Sequence, residues 1–248
     1  MISANDTPVP AHSFLLFGDR AMTVQFGEGI DVAANEAVIR LGDALEAAPF
    51  IGLVELVPTY RSLLVIYDPL EVSGASVEDA ITERLQNLSH SRTNQRRWVI
   101  PTWYGGEAAL DLETLSQEKG ITSNELIALH QSAEYRVFMI GFAPGFTYLG
   151  GVPEALHSPR MLKPRQLVPA GAIGIGGQQA SINSVAGPSA WRFIGQTPVR
   201  AFDPAREQPF LFMAGDIIRF SSIPEPEAQD LFQRVAAGET IIEPEVNA

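Results

Sequence analysis

Apolar runs at Phe14–Phe17 and Met22–Phe26 flank the pair Gly18-Asp19, a pattern that predicts a β-hairpin. Asp31 then precedes a stretch in which Ala34, Val38, Leu41, Leu45 and Ala48 recur at spacings of three and four, which predicts a helix capped by Asp31. Leu53–Val57 and Ser62–Tyr67 read as two further strands. Ser76-Val77-Glu78-Asp79 has the form of a capping box and opens a second helix with Val77, Ile81, Leu85 and Leu88 on one face. The order ββαββα predicts an antiparallel sheet covered by two helices, a small α+β domain over residues 1–95.

Ser89 to Arg97, SHSRTNQRR, is polar and basic and reads as an interdomain linker. A strand resumes at Trp98–Tyr104. Asp111–Lys119 is expected to form a short helix closed by Gly120, and Thr122-Ser123-Asn124-Glu125 to cap another over Leu126–Gln131. After Tyr135 the helical period disappears. Ten glycines and seven prolines fall between Gly141 and Arg200, and interior Gly or Pro costs a helix about 1 or about 3 kcal/mol. Short apolar runs cut by such corners predict a closed β-barrel or sandwich over residues 96–248, followed by a last helix at Glu225–Ala237.

The bulk numbers add little to the fold but narrow the function. The 248 residues are 46% hydrophobic and 19% charged, with no cysteine. No apolar run approaches the ~20 residues that cross a bilayer, and MISANDTPVPAHS lacks a signal-peptide pattern, so a cytoplasmic location is expected. A net charge of −12 argues against nucleic acid or an anionic membrane as partner. Against that background, Gly141–Arg200 holds five cations, Arg160, Lys163, Arg165, Arg192 and Arg200, and one acid, Glu154. Two explanations stand: ion pairing with acids elsewhere in the chain, or a face that binds a phosphate or carboxylate.

Several motifs fail as catalytic signatures. Gly171-Ala172-Ile173-Gly174-Ile175-Gly176-Gly177 has no following G-K-[S/T] and no third dinucleotide glycine, so its glycines are read as allowing a backbone or ligand close to a strand. Gly187-Pro188-Ser189-Ala190-Trp191 lacks the last glycine of a nucleophile elbow. His12, His90, His130 and His157 are scattered, and no metal site is expected. His130 reads either as a helix C-terminal residue favourable to the helix dipole or as part of a site. The barrel region offers no base or nucleophile of its own, and no catalytic residue is assigned.

What remains is a binding pattern. Pro159-Arg160-Met161-Leu162-Lys163-Pro164-Arg165 carries three cations on a proline-restrained run, which lowers the entropic cost of gripping an anion. Gln179 and Asn183, on the next strand, add neutral donors. The glycine-rich run Gly141–Gly151 carries Phe142, Phe146 and Tyr148; Phe142 is expected inside the barrel, with Phe146 and Tyr148 facing the ligand. Gly145 and Trp191 are further possible site residues.

The stretches GFAPGFTYLGGVPEALHSPR, LVPAGAIGIGGQQ, WRFIGQTPVRAFDPAREQP and AGDIIRF resemble the allophanate hydrolase subunit 1 family, also called the KipI family, and within it the branch of the 5-oxoprolinase B-type subunits. The resemblance implies a small α+β domain followed by a cyclophilin-like β-barrel. It implies partners as well: a homologous second subunit, of the allophanate hydrolase subunit 2 or 5-oxoprolinase C type, and in the 5-oxoprolinase branch a third subunit of the A type. That assembly opens 5-oxo-L-proline to L-glutamate while hydrolysing ATP with Mg, so the chain alone would be inactive and ATP would sit in the complex. Two other family roles stay open: a KipI-type inhibitor of a sensor histidine kinase, or subunit 1 of an allophanate hydrolase or carboxyltransferase-like complex with a biotin-bearing partner. The chain departs from the family's usual GFPYL at Thr147, from Q-T-G-I-Y-P at Gln179-Ala180-Ser181-Ile182-Asn183-Ser184, and from S-P-G-G-W at Gly187-Pro188-Ser189-Ala190-Trp191. These departures leave open a different lactam, amide or urea-like substrate.

Overall fold

A computed structural model describes residues 9–88 and 95–245. The chain divides into two compact units, Met1–Asn94 and Gln95–Ala248.

In the first unit, β1 (His12–Phe17) and β2 (Ala21–Phe26) form the hairpin, followed by α1 (Val32–Ala47), β3 (Leu53–Pro58), β4 (Ser62–Tyr67) and α2 (Gly74–Gln86). The strands make one antiparallel sheet in the order β1-β2-β4-β3. Its core joins Val24, Phe26, Leu63 and Val65 of the sheet to Val38, Leu41 and Leu45 of α1 and Val77, Ile81 and Leu85 of α2. Asp31 caps α1, its carboxylate accepting from the Ala34 N–H at 2.9 Å. The second cap differs from expectation. Ser73 performs it, accepting from the Ser76 N–H at 3.1 Å, while the Ser76 hydroxyl pairs with that of Ser73 instead of starting the helix.

Most of the linker expected at Ser89–Arg97, with His90, lies outside the described residues. Its last part belongs to the second unit rather than to a connector. Arg96 grips Asp216 through Nε (2.9 Å) and Nη2 (2.6 Å), and Arg97 opens β5 (Arg97–Thr102). Asp216 also accepts from Trp98 Nε1 and the Met213 N–H, so a buried carboxylate ties β5 to the turn before the last strand, Ile217–Ser222.

The second unit continues with α3 (Leu112–Lys119), ended by Gly120 in the left-handed conformation, and α4 (Ser123–Ser132), opened by a reciprocal Thr122–Glu125 capping box. Then come β6 (Tyr135–Ile140), β7 (Thr147–Gly150), β8 (Arg165–Val168), β9 (Ala172–Gly176), β10 (Gln179–Ile182), β11 (Gly187–Ser189), β12 (Arg192–Gln196), β13 (Ile217–Ser222) and α5 (Glu225–Ala236). Six of these strands join β5 in one seven-stranded sheet in the order β12-β9-β10-β7-β6-β13-β5. Its two edges meet where Trp103 and Gln196 exchange both backbone hydrogen bonds at 2.8 Å, closing a barrel. The fold is therefore α+β followed by a cyclophilin-like β-barrel.

All seven strands contribute to the barrel core, among them Ile100, Val137, Leu149, Ile173, Ile175, Ala180, Ile182, Ile194 and Phe220. Small barrels fill with side chains in this way. With the interior occupied, a ligand meets the outer face, where β8 and β11 pair as a separate two-stranded ribbon.

Candidate functional site

Alternation along β7 and β10 sends Leu149, Ala180 and Ile182 inward and Tyr148 and Ser181 outward. On this outer face lies a small second core of Ala108, Val168, Ala172, Trp191 and Phe193, with Tyr148 packed against it. The glycine motif explains it. A Cβ on Gly176 would lie 2.7 Å from the Trp191 ring, and one on Gly174 would lie 2.9 Å from Phe193. The motif's glycines thus admit the chain's own groups: the indole and phenyl rings at Gly176 and Gly174, and, as expected, another backbone at Gly171, where a Cβ would run into the Thr197 carbonyl oxygen.

Beside this core opens a cleft of about 300 Å³, lined by Phe142, Phe146, Tyr148, Arg160, Pro164, Pro188, Ser189, Ala190 and Trp191. That volume suits a small ligand. The rings form a continuous wall. Phe146 lies 4.7 Å from Tyr148 and 6.2 Å from Trp191 between centroids, and Phe142 lies 5.5 Å from Phe146. The Arg160 guanidinium stacks 5.1 Å from the Trp191 ring centre, a cation–π placement that leaves its N–H fork free to hold an anion. Two backbone anchors hold its loop: the Met161 N–H donates to Ala190 O at 2.7 Å, and Ser158 and Gly177 exchange two hydrogen bonds. Burial pushes the Tyr148 phenol up while the Arg160 charge works against it, so the hydroxyl stays protonated at neutral pH.

The structure brings together four of the expected residues, Phe146, Tyr148, Arg160 and Trp191, and separates the rest. Arg165 does not face a ligand; its guanidinium lies bidentate on Asp111 at 2.9 and 2.7 Å. Arg192 pairs with Glu118 and Arg200 with Asp203, so three of the five cations are committed to acids outside Gly141–Arg200. Structural ion pairing accounts for most of the basic segment. Lys163 is exposed and does not line the cleft. Gln179 stands half-buried at the turn end of β10, opposite Gly176 and away from the cleft lining. Asn183 is buried and does not line the cleft. Gly145 serves packing: at φ +74° its absent Cβ lets the backbone sit against Phe202 and Ala201. Phe142, expected inside, is 78% exposed at the rim with a φ of +70°. A left-handed phenylalanine stores about 1 kcal/mol of strain, and it turns the ring outward next to Phe146. The residues missed were Pro164, Pro188, Ser189 and Ala190. Pro188, Ser189 and Ala190, from the run dismissed as a failed nucleophile elbow, complete the lining next to Trp191.

His130 belongs to the core. It is wholly buried, its Nδ1 is 2.8 Å from the Tyr104 hydroxyl, and its ring lies 4.5 Å from that of Phe220. Burial pulls its pKa down from 6.5 to about 3, so it is neutral and adds nothing to the helix dipole. An unfolded chain takes up this proton below about pH 6.5 and the native one does not. The stability that the neutral ring contributes is therefore present above pH 6.5 and lost as pH falls toward 3, at about 1.4 kcal/mol per pH unit, or about 2 kcal/mol by pH 5. Urea midpoints at pH 7 and pH 5 should show this drop in the wild type and a flatter response in His130→Gln; equal slopes would refute it.

The chain belongs to the family described as carboxyltransferase domain, subdomain C and D, whose sequence profile matches residues 12–212. Among its relatives, the B subunit of the Bacillus subtilis (strain 168) 5-oxoprolinase is 38% identical over 221 residues, covering 85% of this chain and 92% of that protein. The B subunit of the Escherichia coli O157:H7 5-oxoprolinase is 38% identical over 216 residues, covering 86% and 95%. Among solved structures, TTHA0988 superposes with a TM-score of 0.75 at 37% identity over 84% of this chain, which spans 40% of TTHA0988. The K. lactis urea amidolyase shares the fold, with a TM-score of 0.80 at 18% identity over 99% of this chain and 17% of its own.

Proposed function

We propose that this chain is the B-type component of a 5-oxoprolinase assembly that opens 5-oxo-L-proline to L-glutamate with hydrolysis of ATP. The observation that carries this reading is the Arg160 cleft: an aromatic wall, one stacked guanidinium that no carboxylate pairs with among the described residues, and room for a five-membered ring acid. Likeness to two proteins named as B subunits of 5-oxoprolinase, over most of each chain, supports the choice of substrate.

Arg160 takes the substrate carboxylate, and the rings of Phe146, Tyr148 and Trp191 exclude water from the lactam ring. An unstrained lactam resists hydrolysis, and ATP bound elsewhere in the assembly would supply the activation. The cleft does not fit Mg-bound ATP. It presents a single cation where a triphosphate needs several, and among the described residues no group of three His, Asp or Glu could hold the metal. ATP and the hydrolytic groups therefore fall to the partner subunits, one a homologous C-type barrel and one of the A type. Exposed apolar side chains on the elements around the cleft, Phe142, Leu162 (102% exposed) and Leu167, offer that partner a docking rim.

The test is reconstitution. The chain alone should release no glutamate from 5-oxoproline and ATP, and the three subunits together should release it in proportion to ATP hydrolysed. A complete assembly that leaves 5-oxoproline intact removes the proposal.

A further inference from the structure

Strand β10 carries polar groups that the cleft's rings conceal. Since Ala180 and Ile182 face the barrel core, Ser181 shares the outer face with Tyr148 of β7, and Asn183 lies just past the end of β10. The antiparallel register sets Ser181 directly against Tyr148 and Ile182 against Thr147, and the Asn183 backbone pairs on the other side with Gly171 and Ala172. Ser184 comes next. Ser181 is 0% exposed, Asn183 5% and Ser184 9%. The Ser181 Oγ, Asn183 Oδ1 and Ser184 Oγ atoms are all buried without a hydrogen-bond partner.

Nearly all buried polar side-chain atoms in folded proteins are hydrogen-bonded, so three exceptions within four residues call for a cause. Replacing such groups by apolar ones of the same shape costs a fold little, hence nothing in the barrel's own packing requires them. Ser181 adjoins the ring wall of the ligand cleft through Tyr148, Asn183 and Ser184 follow it along the chain, and all three are neutral. Two hydroxyls can donate or accept, and the amide oxygen accepts. An acceptor beside a hydroxyl donor complements a group that carries a donor and an acceptor side by side, such as the N–H and C=O edge of a lactam or a urea. A carboxylate offers acceptors alone, and a carbocycle offers nothing.

We infer that Ser181, Asn183 and Ser184 form the polar floor of the cleft and select ligands that carry an uncharged amide edge, reached when the Tyr148 and Phe146 rings turn aside. Asn183 Oδ1 receives the ligand N–H, the Ser181 hydroxyl donates to its carbonyl, and Ser184 supports the same group, while Arg160 holds the acid. This assignment rests on the cleft being the ligand site proposed above and names the chemistry by which it discriminates.

The experiment titrates the full chain, followed by NMR, with 5-oxo-L-proline and with cyclopentanecarboxylate, which keeps the ring and acid but lacks the amide. The wild type should prefer the lactam about tenfold. Ser181→Ala and Asn183→Leu should each cut that preference about fivefold, leave cyclopentanecarboxylate binding unchanged, and melt no lower than the wild type, an outcome that a merely structural role would not produce. Asn183→Ala reads the same ratio should the leucine not fit. Equal binding of both acids by the wild type, or an undiminished preference in the variants, overturns the inference. So does a crystal structure with bound 5-oxoproline in which an ordered water alone contacts the three side chains. Preference for the lactam without glutamate release by the reconstituted assembly would sink the proposed function and leave the polar floor standing; glutamate release without preference would do the reverse.

Discussion

Asp111→Ala is expected to destabilise the barrel unit by about 3–5 kcal/mol, the cost of breaking a buried ion pair by removing one partner. Asp111 is buried immediately before α3, yet its carboxylate does not cap that helix. It accepts instead from both Nη atoms of Arg165 on β8 and from the Phe193 N–H of β12 at 2.7 Å, with Arg192 3.7 Å away. One side chain thus ties the β8–β11 ribbon and the Trp191–Phe193 segment to the barrel, and both build cleft walls. Alanine would leave a largely buried guanidinium and a buried amide unpaired. Urea unfolding, followed by tryptophan fluorescence, measures the loss. Asp111→Leu combined with Arg165→Met should cost less than Asp111→Ala alone, since no lone charge is left behind. A single variant as stable as the wild type would mean that the pair does not organise the ribbon.

Arg160→Ala is expected to raise the KM for 5-oxoproline in the reconstituted assembly about 10–100-fold, with thermal unfolding nearly unchanged. The range follows from a hydrogen bond to a charged group, worth about 1.5–3 kcal/mol. Stability should hold because the side chain is exposed, engages no carboxylate among the described residues and stacks on Trp191. Arg160→Lys should fall between the two, keeping charge but losing the planar fork and the stacking. Gln179→Ala is the control. Sequence pattern placed this glutamine in the site, whereas its position at the turn end of β10 predicts a KM within about twofold of the wild type. An unaltered KM in Arg160→Ala would move the anion grip to another surface of the assembly.

Local chemistry was readable residue by residue. Asp31, Gly120 and the Thr122–Glu125 box end their helices as their side chains and backbone preferences dictate. Ser73 escaped notice because a hydroxyl three residues earlier serves a helix start equally well. In the candidate cleft, Phe146, Tyr148 and Arg160 come together as their runs suggested, because aromatic and proline-restrained cationic residues carry their chemistry with them, whereas Phe142, Lys163 and Arg165 lie elsewhere than expected. Charge was the misleading signal. The excess of cations between Gly141 and Arg200 looked like an anion face, but Asp111, Glu118 and Asp203 come from outside that window and bind Arg165, Arg192 and Arg200.

By itself, then, the order of residues determined the hairpin and helices of the first half and short strands with Gly/Pro corners, a barrel or a sandwich, in the second, while the long motif stretches carried the family resemblance that implied the barrel. The element readings depend on periodicity, caps and corners, which act over a few residues. Only the tertiary structure decided that Phe142 lies at the rim, that Trp191 rests on Gly176, and that Arg160 keeps its guanidinium clear of any carboxylate among the described residues. A cation's availability depends on which acid the folded chain brings within about 4 Å of it, and neighbours along the chain carry no record of that distance.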